Sequence, residues 1–95
     1  MKVSVILPVY RNGSCLNEIL KYLSEDPYPE KEVIVIVDEP TKECLNTLNN
    51  FSTLNHFKII LNQKRRGKVN ALNRGVEESS GELLLFLDSD VYIPD

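Results

Sequence analysis

The chain has 95 residues, of which 42% are hydrophobic and 26% charged, a composition typical of one small globular domain and not of a disordered tail. Eleven Lys and Arg against fourteen Asp and Glu give a formal net charge of -3, which argues against binding to nucleic acid or anionic lipid through bulk charge. Cys15, Cys44 and the single histidine, His56, form no zinc-binding pattern, so we expect both thiols to be buried and unpaired.

The apolar runs are too short for a membrane protein. The longest, residues 33–37 and 83–87, are far below the roughly 20 residues that span a bilayer. The N-terminal run is interrupted by Pro8 and lacks a small-residue cleavage site, so no secretory signal is predicted. These patterns predict no transmembrane segment and a cytoplasmic location, with the inner membrane surface as the place of a longer parent enzyme.

The first half of the chain predicts strand, helix, strand. Residues 3–9 form an apolar run that indicates a β-strand. Aliphatic side chains then recur at the helical spacing i, i+3, i+4 and i+7, namely at Leu16, Ile19, Leu20 and Leu23. Residues 33–37 are again apolar throughout, and we expect all four apolar runs of the chain, 3–9, 33–37, 57–61 and 83–87, to be covered on both faces as in a parallel sheet.

The next elements are a helix and a third strand. The helix is indicated by Cys44, Leu48 and Phe51 on one stripe, with Leu45 beside it, and the hydroxyl of Thr41 after Pro40 is placed to cap its start. Residues 57–61 predict the third strand.

A third helix, residues 68–79, leads into the last strand, residues 83–87. We expect its inward stripe to be Val69, Leu72 and Val76, with Ala71 and Gly75 allowing close approach. Gly81 is predicted to supply the left-handed turn that ends this helix.

The alternation of strands and helices predicts one α/β domain over residues 1–95, an open and mostly parallel sheet with helices on both faces. Ligands of such sheets bind beyond the carboxyl ends of the strands. The best-known motifs for that position are missing. There is no GxGxxG turn after the first strand, and the one Gly-Lys pair, Gly67 and Lys68, lacks the rest of a P-loop.

Two adjacent carboxylates, Asp38 and Glu39, follow the second strand. Either one could accept a hydrogen bond from the ring N–H of uracil or guanine. The structural alternative is that one of them caps the helix behind Pro40 while the other is solvated.

The fourth strand leads directly to Asp88-Ser89-Asp90. Two carboxylates at this spacing can converge on one hard divalent cation, which prefers oxygen ligands and can bridge to phosphate oxygens. The alternative is a turn in which both carboxylates accept from local backbone amides. The position at a strand end favours the metal interpretation.

Cationic side chains are concentrated before the third helix, at Lys64, Arg65, Arg66 and Lys68. Such a run is often only a solvated face. Cations at a helix N-terminus are unfavourable, however, unless an anion is bound there, and a diphosphate would be that anion. We therefore interpret Arg66 and Lys68 as phosphate partners and give Lys64 and Arg65 less weight.

Taken together, four segments resemble the family 2 glycosyltransferases, enzymes of the GT-A fold that use nucleotide sugars. They are VSVILPVYRN at 3–12, EVIVIVDEPT at 32–41, GKVNALNRG at 67–75 and GELLLFLDSD at 81–90. Their order and spacing cover nearly the whole chain and match the donor-binding, Rossmann-like half of that fold. The resemblance implies the strand order 3-2-1-4.

The resemblance also implies roles for individual residues. Pro8 and Tyr10 would frame the nucleotide pocket, Asp38 or Glu39 would read the base, and Lys68 would lie near the base or the diphosphate. Asp88 and Asp90 would be the DxD pair that holds Mn²⁺ or Mg²⁺, with Asp90 as the direct metal ligand and Asp88 facing the ribose. Many members have Asp-Asp-Gly-Ser where this chain has Asp-Glu-Pro-Thr at 38–41, which leaves the choice of base open.

Family members continue past the DxD pair into a segment that binds the acceptor and supplies a carboxylate base for inverting displacement. The sequence therefore predicts the donor-binding part of a truncated glycosyltransferase, with little or no turnover alone. A noncatalytic nucleotide-binding or regulatory module is the main alternative, and an RNA-binding module is disfavoured by the acidic balance. The strand at 83–87 would be an exposed edge, through which we expect homodimerisation.

Overall fold

A computed structural model describes residues 1–11 and 16–87, in which strands and helices alternate. The elements are β1 (Val3–Tyr10), α1 (Leu16–Glu25), β2 (Lys31–Asp38), α2 (Lys42–Asn49), β3 (Phe57–Asn62), α3 (Lys68–Glu78) and β4 (Leu83–Phe86). All strand pairs are parallel, and the sheet order is β3-β2-β1-β4. The predicted sheet and strand order are confirmed.

The two faces of the sheet have separate cores. On one face, alternate residues of β1 and β2 pack against α1 and α2, and Cys44 is fully buried there with a free thiol. On the other face, Ile6, Ile34 and Ile36 pack against Ala71 of α3. Helices thus cover both faces, as predicted. The expectation for Cys15 falls outside the described residues.

The prediction that all four apolar runs are covered on both faces is correct only for the central strands. Val33 through Val37 of β2 have no exposed surface. In contrast, β3 and β4 are edge strands, and Leu61, Leu83 and Leu85 are each about half exposed. A short apolar run favours a strand but does not show whether both of its faces are covered.

The inward face of α3 differs from the predicted one. Val69 is 73% exposed and Val76 is 42% exposed, whereas the buried positions are Ala71 and Gly75, one turn apart. A Cβ atom on Gly75 would lie 3.2 Å from Ile36 Cδ1. The helix therefore approaches the sheet through its smallest side chains, which places Val69 on the opposite side. Leu72 packs at the margin of this core, as expected.

The start of α2 is capped as predicted. Thr41 has extended backbone, and its Oγ1 accepts a hydrogen bond from the Cys44 N–H at 3.1 Å. The helix ends at Asn49, so Phe51 lies just beyond it and not within it. Phe51 is nevertheless nearly buried, and its ring stacks on Phe57 with 5.9 Å between centroids.

Gly81 does not end α3 with a left-handed turn. The helix is followed by extended backbone at Ser79, and Gly67 is the glycine with positive φ in the described part of the chain. Gly81 is needed for a close approach instead, because a Cβ atom there would lie 2.5 Å from Ser4 Oγ. The Gly81 N–H donates to the same Oγ at 2.8 Å.

A polar cluster around Glu32 fixes this close approach. The buried Ser4 hydroxyl donates to Glu32 Oε2 at 2.6 Å, and the Ser80 N–H donates to the same oxygen at 2.6 Å. Lys2 Nζ lies 3.8 Å from Glu32 Oε1. The cluster ties the connection between α3 and β4 to the first residues of β1 and β2.

None of the helices that the structure describes is long and apolar enough to cross a membrane.

Candidate nucleotide-binding edge of the sheet

The last residues of three strands lie side by side at the carboxyl edge. Tyr10 pairs in register with Asp38, and Asp38 pairs with Asn62. The parallel arrangement thus brings together side chains that are far apart in sequence, at the edge where ligands of such sheets bind.

The backbone turns sharply away from the sheet after β1 and β2. Arg11 and Glu39 have φ angles of 64° and 48°, and residues other than glycine seldom adopt such positive values. Each turn is held by its neighbour, because the Arg11 N–H donates to the Asp38 carbonyl at 2.8 Å and the Glu39 N–H donates to the Asn62 carbonyl at 2.9 Å. Strained backbone of this kind is concentrated at functional sites.

The Asp38 carboxylate is buried and already occupied. The side chain is 5% exposed, and Oδ1 accepts a hydrogen bond from Asn62 Nδ2 at 2.9 Å. The other oxygen, Oδ2, accepts from the N–H groups of Arg66 and Gly67, both at 2.9 Å. The carboxylate therefore holds the turn before α3 instead of capping the helix behind Pro40.

Glu39 has a different environment, with its side chain 37% exposed. Its Oε2 lies 3.6 Å from the Arg11 guanidinium and 3.5 Å from the Tyr10 hydroxyl. The Arg65 guanidinium stands over the face of the Tyr10 ring, 4.4 Å from its centroid. Aromatic, acidic and basic groups thus meet at one exposed position.

The cationic segment before α3 borders this position. Gly67 is the N-cap residue and gives no side-chain cap, and the first turn of α3 contains no acidic residue. The sequence suggested that the cations at this helix terminus require a bound anion. Asp38 supplies a negative charge there, so the chain itself meets part of that requirement. Lys68 begins the helix.

Two hollows flank the edge. One of about 450 Å³ is lined by Arg11, Glu39, Pro40, Leu45 and Leu61, among others. A polar one of about 310 Å³ is lined by residues that include Asn62, Arg66 and Asn70. Both volumes lie within the range of roughly 300–1,000 Å³ that is usual for small-molecule sites.

The structure thus brings together four of the predicted site residues, Tyr10, Asp38, Glu39 and Arg66. Pro8 is buried within β1, two positions before the edge. The predicted metal ligands, Asp88 and Asp90, lie outside the described residues. Within residues 1–11 and 16–87, His, Cys, Asp and Glu side chains form no group of three that could hold a metal ion.

Two residues of this edge were given no role by the sequence alone, Arg11 and Asn62. Asn62 directly follows one predicted strand and Arg11 comes two positions after another, so their position was the available signal. Their contacts, with Glu39 and Asp38, depend on the strand register and carry no sequence motif.

The family model of glycosyl transferase family 2 matches residues 4–95. The chain belongs to this family, and its relatives include named glycosyltransferases. It is 32% identical over 93 residues to poly-beta-1,6-N-acetyl-D-glucosamine synthase of Staphylococcus epidermidis, covering 98% of this chain and 23% of that protein. It is 33% identical over 91 residues to glycosyltransferase AglE of Haloferax volcanii, covering 93% of this chain and 30% of that protein.

Solved structures of glycosyltransferases share the fold. The mannosyltransferase PcManGT from Pyrobaculum calidifontis, in complex with GDP-Man and Mn²⁺, superposes with a TM-score of 0.85 at 26% identity, over 99% of this chain and 29% of its own. TarS 1-349 of S. aureus, in complex with UDP-GlcNAc, gives a TM-score of 0.84 at 30% identity, over 95% of this chain and 27% of its own. The fold is therefore GT-A, and the chain spans less than a third of the length of these proteins.

Proposed function

We propose that these 95 residues are the nucleotide-sugar-binding part of an inverting, metal-dependent glycosyltransferase. The acceptor site and the catalytic base would lie in a further segment, so little turnover is expected from this chain alone. The observation that carries the proposal is the meeting of Tyr10, Glu39 and the cationic segment 64–68 at the carboxyl edge of a GT-A sheet.

The charges at this edge fit the parts of a nucleotide diphosphate. A diphosphate is an anion, and Arg66 and Lys68 bring cationic side chains to the amino end of α3, where the helix dipole also favours an anion. Of the two carboxylates at the end of β2, we assign the base contact to Glu39, because its side chain is partly exposed beside Tyr10 whereas Asp38 is buried. A carboxylate accepts from a ring N–H, so uracil and guanine both remain suitable bases.

The carboxylates that follow β4 in the sequence also fit a divalent ion. Leu87 is the last described residue, and its N–H still donates to the Ile6 carbonyl of β1 at 3.0 Å. Asp88 follows directly in sequence, and Asp90 two positions later, so we assign the metal to these carboxylates, with Mn²⁺ or Mg²⁺ as the ion. When bound, such an ion would neutralise charge on the diphosphate as the sugar leaves.

Calorimetric titration tests this assignment. UDP and GDP are titrated into the 95-residue chain with and without Mn²⁺. We expect one of them to bind more tightly with the metal, and we expect Asp90→Ala to lose that gain because one metal ligand is removed. Glu25→Ala is the matched control, since it removes an exposed carboxylate at the far end of α1 and should keep the gain. A chain that binds neither nucleotide, or an Asp90→Ala variant that keeps the gain, contradicts the proposal.

Sugar transfer is tested separately. Binding of the nucleotide sugar without transfer is expected of this chain, and robust transfer by it would show that the acceptor and base functions lie within these residues. A longer parent protein that binds the donor but transfers nothing would favour the regulatory alternative.

Two further parts of the proposal concern assembly and location. Within the described residues, β4 pairs only with β1, and three of its four side chains are about half exposed, so we propose that two copies associate through it. The cytoplasm stays the predicted location, with a longer parent enzyme at the inner membrane surface.

A further inference from the structure

We propose that Asp38 is a positioning residue for the diphosphate part of the site and is not the group that reads the base. Its carboxylate holds the turn before α3 in the conformation that presents the cationic segment at the edge. This inference rests on the proposed function, because it assigns a role within the same binding site.

The hydrogen bonds of Asp38 leave little capacity for a ligand. A carboxylate has about four acceptor positions, and N–H groups of the chain occupy three of them at 2.9 Å. With 5% of the residue exposed, a ring N–H could reach the carboxylate only by displacing one of these donors. The side chain of Glu39, the next residue, is 37% exposed, and its contacts with Arg11 and Tyr10 lie at the surface.

The same bonds set the orientation of the turn. Two consecutive peptide N–H groups, of Arg66 and Gly67, converge on one oxygen, which fixes both peptide planes. Gly67 has a φ of 90°, which glycine adopts without steric cost, and it offers α3 no side-chain cap. Asp38 therefore holds the turn itself, through the two N–H groups that directly precede the first helical residue.

Electrostatics give the carboxylate a second effect. Four cationic side chains lie within residues 64–68, and their mutual repulsion favours an open segment. A buried negative charge at the centre of this segment offsets that repulsion before any ligand binds. Without it, Arg65 would lose its fixed place over the Tyr10 ring, and Arg66 and Lys68 would no longer be held for a phosphate group.

Two probes separate positioning from base reading. Inorganic pyrophosphate has the phosphates of UDP but no base, and both are titrated into the 95-residue chain at one Mg²⁺ concentration. We expect Asp38→Asn to weaken both ligands by about tenfold, the effect of one lost interaction with a charged group. We expect Glu39→Gln, the matched removal of the neighbouring charge, to weaken UDP by a similar factor and to leave pyrophosphate unchanged.

The outcomes distinguish this inference from the proposed function. If the unmodified chain binds neither probe, the proposed function fails. If it binds both and Asp38→Asn weakens UDP but not pyrophosphate, Asp38 reads the base and the positioning role is wrong. Equal loss of both probes supports positioning.

Two further experiments keep the inference testable if Asp38→Asn fails to fold: a double variant and a measurement on the unmodified chain. The double variant Asp38→Asn with Asn62→Asp exchanges carboxylate and amide across the same hydrogen bond and returns the charge to the turn. Positioning predicts that it recovers pyrophosphate binding relative to Asp38→Asn, and no recovery in a folded double variant contradicts it. In the unmodified chain, slow hydrogen exchange is expected at the Arg66 and Gly67 amides. Exchange there as fast as at Lys64 would overturn the inference.

Discussion

The neighbouring carboxylates Asp38 and Glu39 have opposite surroundings, although only one peptide bond separates them. Asp38 ends β2 in register with Asn62 and turns inward, whereas Glu39 adopts a positive φ and turns outward. The sequence could predict that an acidic pair lies at this edge, because the pair directly follows a predicted strand and parallel strands end at the same edge of a sheet. It could not assign the two roles, because the partners of Asp38 come 24, 28 and 29 positions later in the chain.

The carboxylate of Glu32, at the centre of the polar cluster with Ser4 and Ser80, makes folding stability depend on pH. Burial raises the pKa of this carboxyl, but hydrogen bonds from Ser4 and Ser80 and the charge of Lys2 together outweigh burial, so the net pKa lies below its ordinary value of 4.5. Folding therefore favours the ionised form. Its contribution is fully present above pH 4.5 and is lost as the pH falls through the folded-state pKa.

We expect Glu32→Gln to lower the free energy of unfolding at pH 7 by about 1.5–3 kcal/mol, the usual worth of hydrogen bonds to a charged group. The difference between variant and unmodified protein should shrink below pH 4.5, where the unmodified carboxyl becomes protonated. Urea unfolding curves between pH 7 and pH 3 measure both quantities.

The control for this experiment is Glu25→Gln, which changes an exposed carboxylate and should have little effect at any pH. The pKa of His56 is lowered by burial and by the charge of Lys31, so acid also destabilises the fold through this residue. The effect of His56 is the same in the unmodified protein and in both variants, so it cancels when their free energies of unfolding are compared. A gap that stays constant down to pH 3 would contradict the role of Glu32.

Among the elements, α3 shows how packing overrides an apolar pattern. Its valines suggested one inward face, but the helix packs through Ala71 and Gly75, because small residues let its backbone approach Ile6 and Ile36. Periodicity reports which positions are apolar and not how close two elements come. The strands were easier to predict, because continuous Val and Ile runs have few alternatives to a buried strand.

Two substitutions on α3 test this packing. Ala71→Val adds volume against the Ile6 core and should destabilise the protein by about 1–3 kcal/mol. Val69→Ala removes an exposed side chain and improves helix propensity, so it should be neutral or stabilising by roughly 0.5 kcal/mol. Thermal or urea unfolding of both variants measures the contrast, and a larger loss for Val69→Ala would mean that the helix packs through its valines.

At the scale of the whole molecule, β4 forms one edge of the sheet in the part of the chain that the structure describes. At β4, Leu83, Leu85 and Phe86 are each about half exposed. An apolar strand edge of this kind is prone to pair with another chain, since its backbone donors and acceptors lack partners on one side.

We therefore expect the 95-residue chain to self-associate with rising concentration, as measured by sedimentation. Leu85→Lys should reduce the association, because a charge on the strand opposes pairing. Leu45→Lys is the matched control, since Leu45 is exposed to a similar degree on α2 and should leave the association unchanged. A monomer at millimolar concentration, or equal effects of both variants, would show that the strand is not the contact.

The position of β1 between β2 and β4 has a consequence for synthesis on the ribosome. β1 is made first, yet its second neighbour is the last strand of the described chain, so one long side of β1 has no partner after Asn62 has emerged. At roughly 5–20 residues per second, the stretch up to Phe86 takes about one to five seconds. During that interval the nascent chain presents the unpaired side of an apolar strand to its surroundings, and we expect chaperones to bind the chain there.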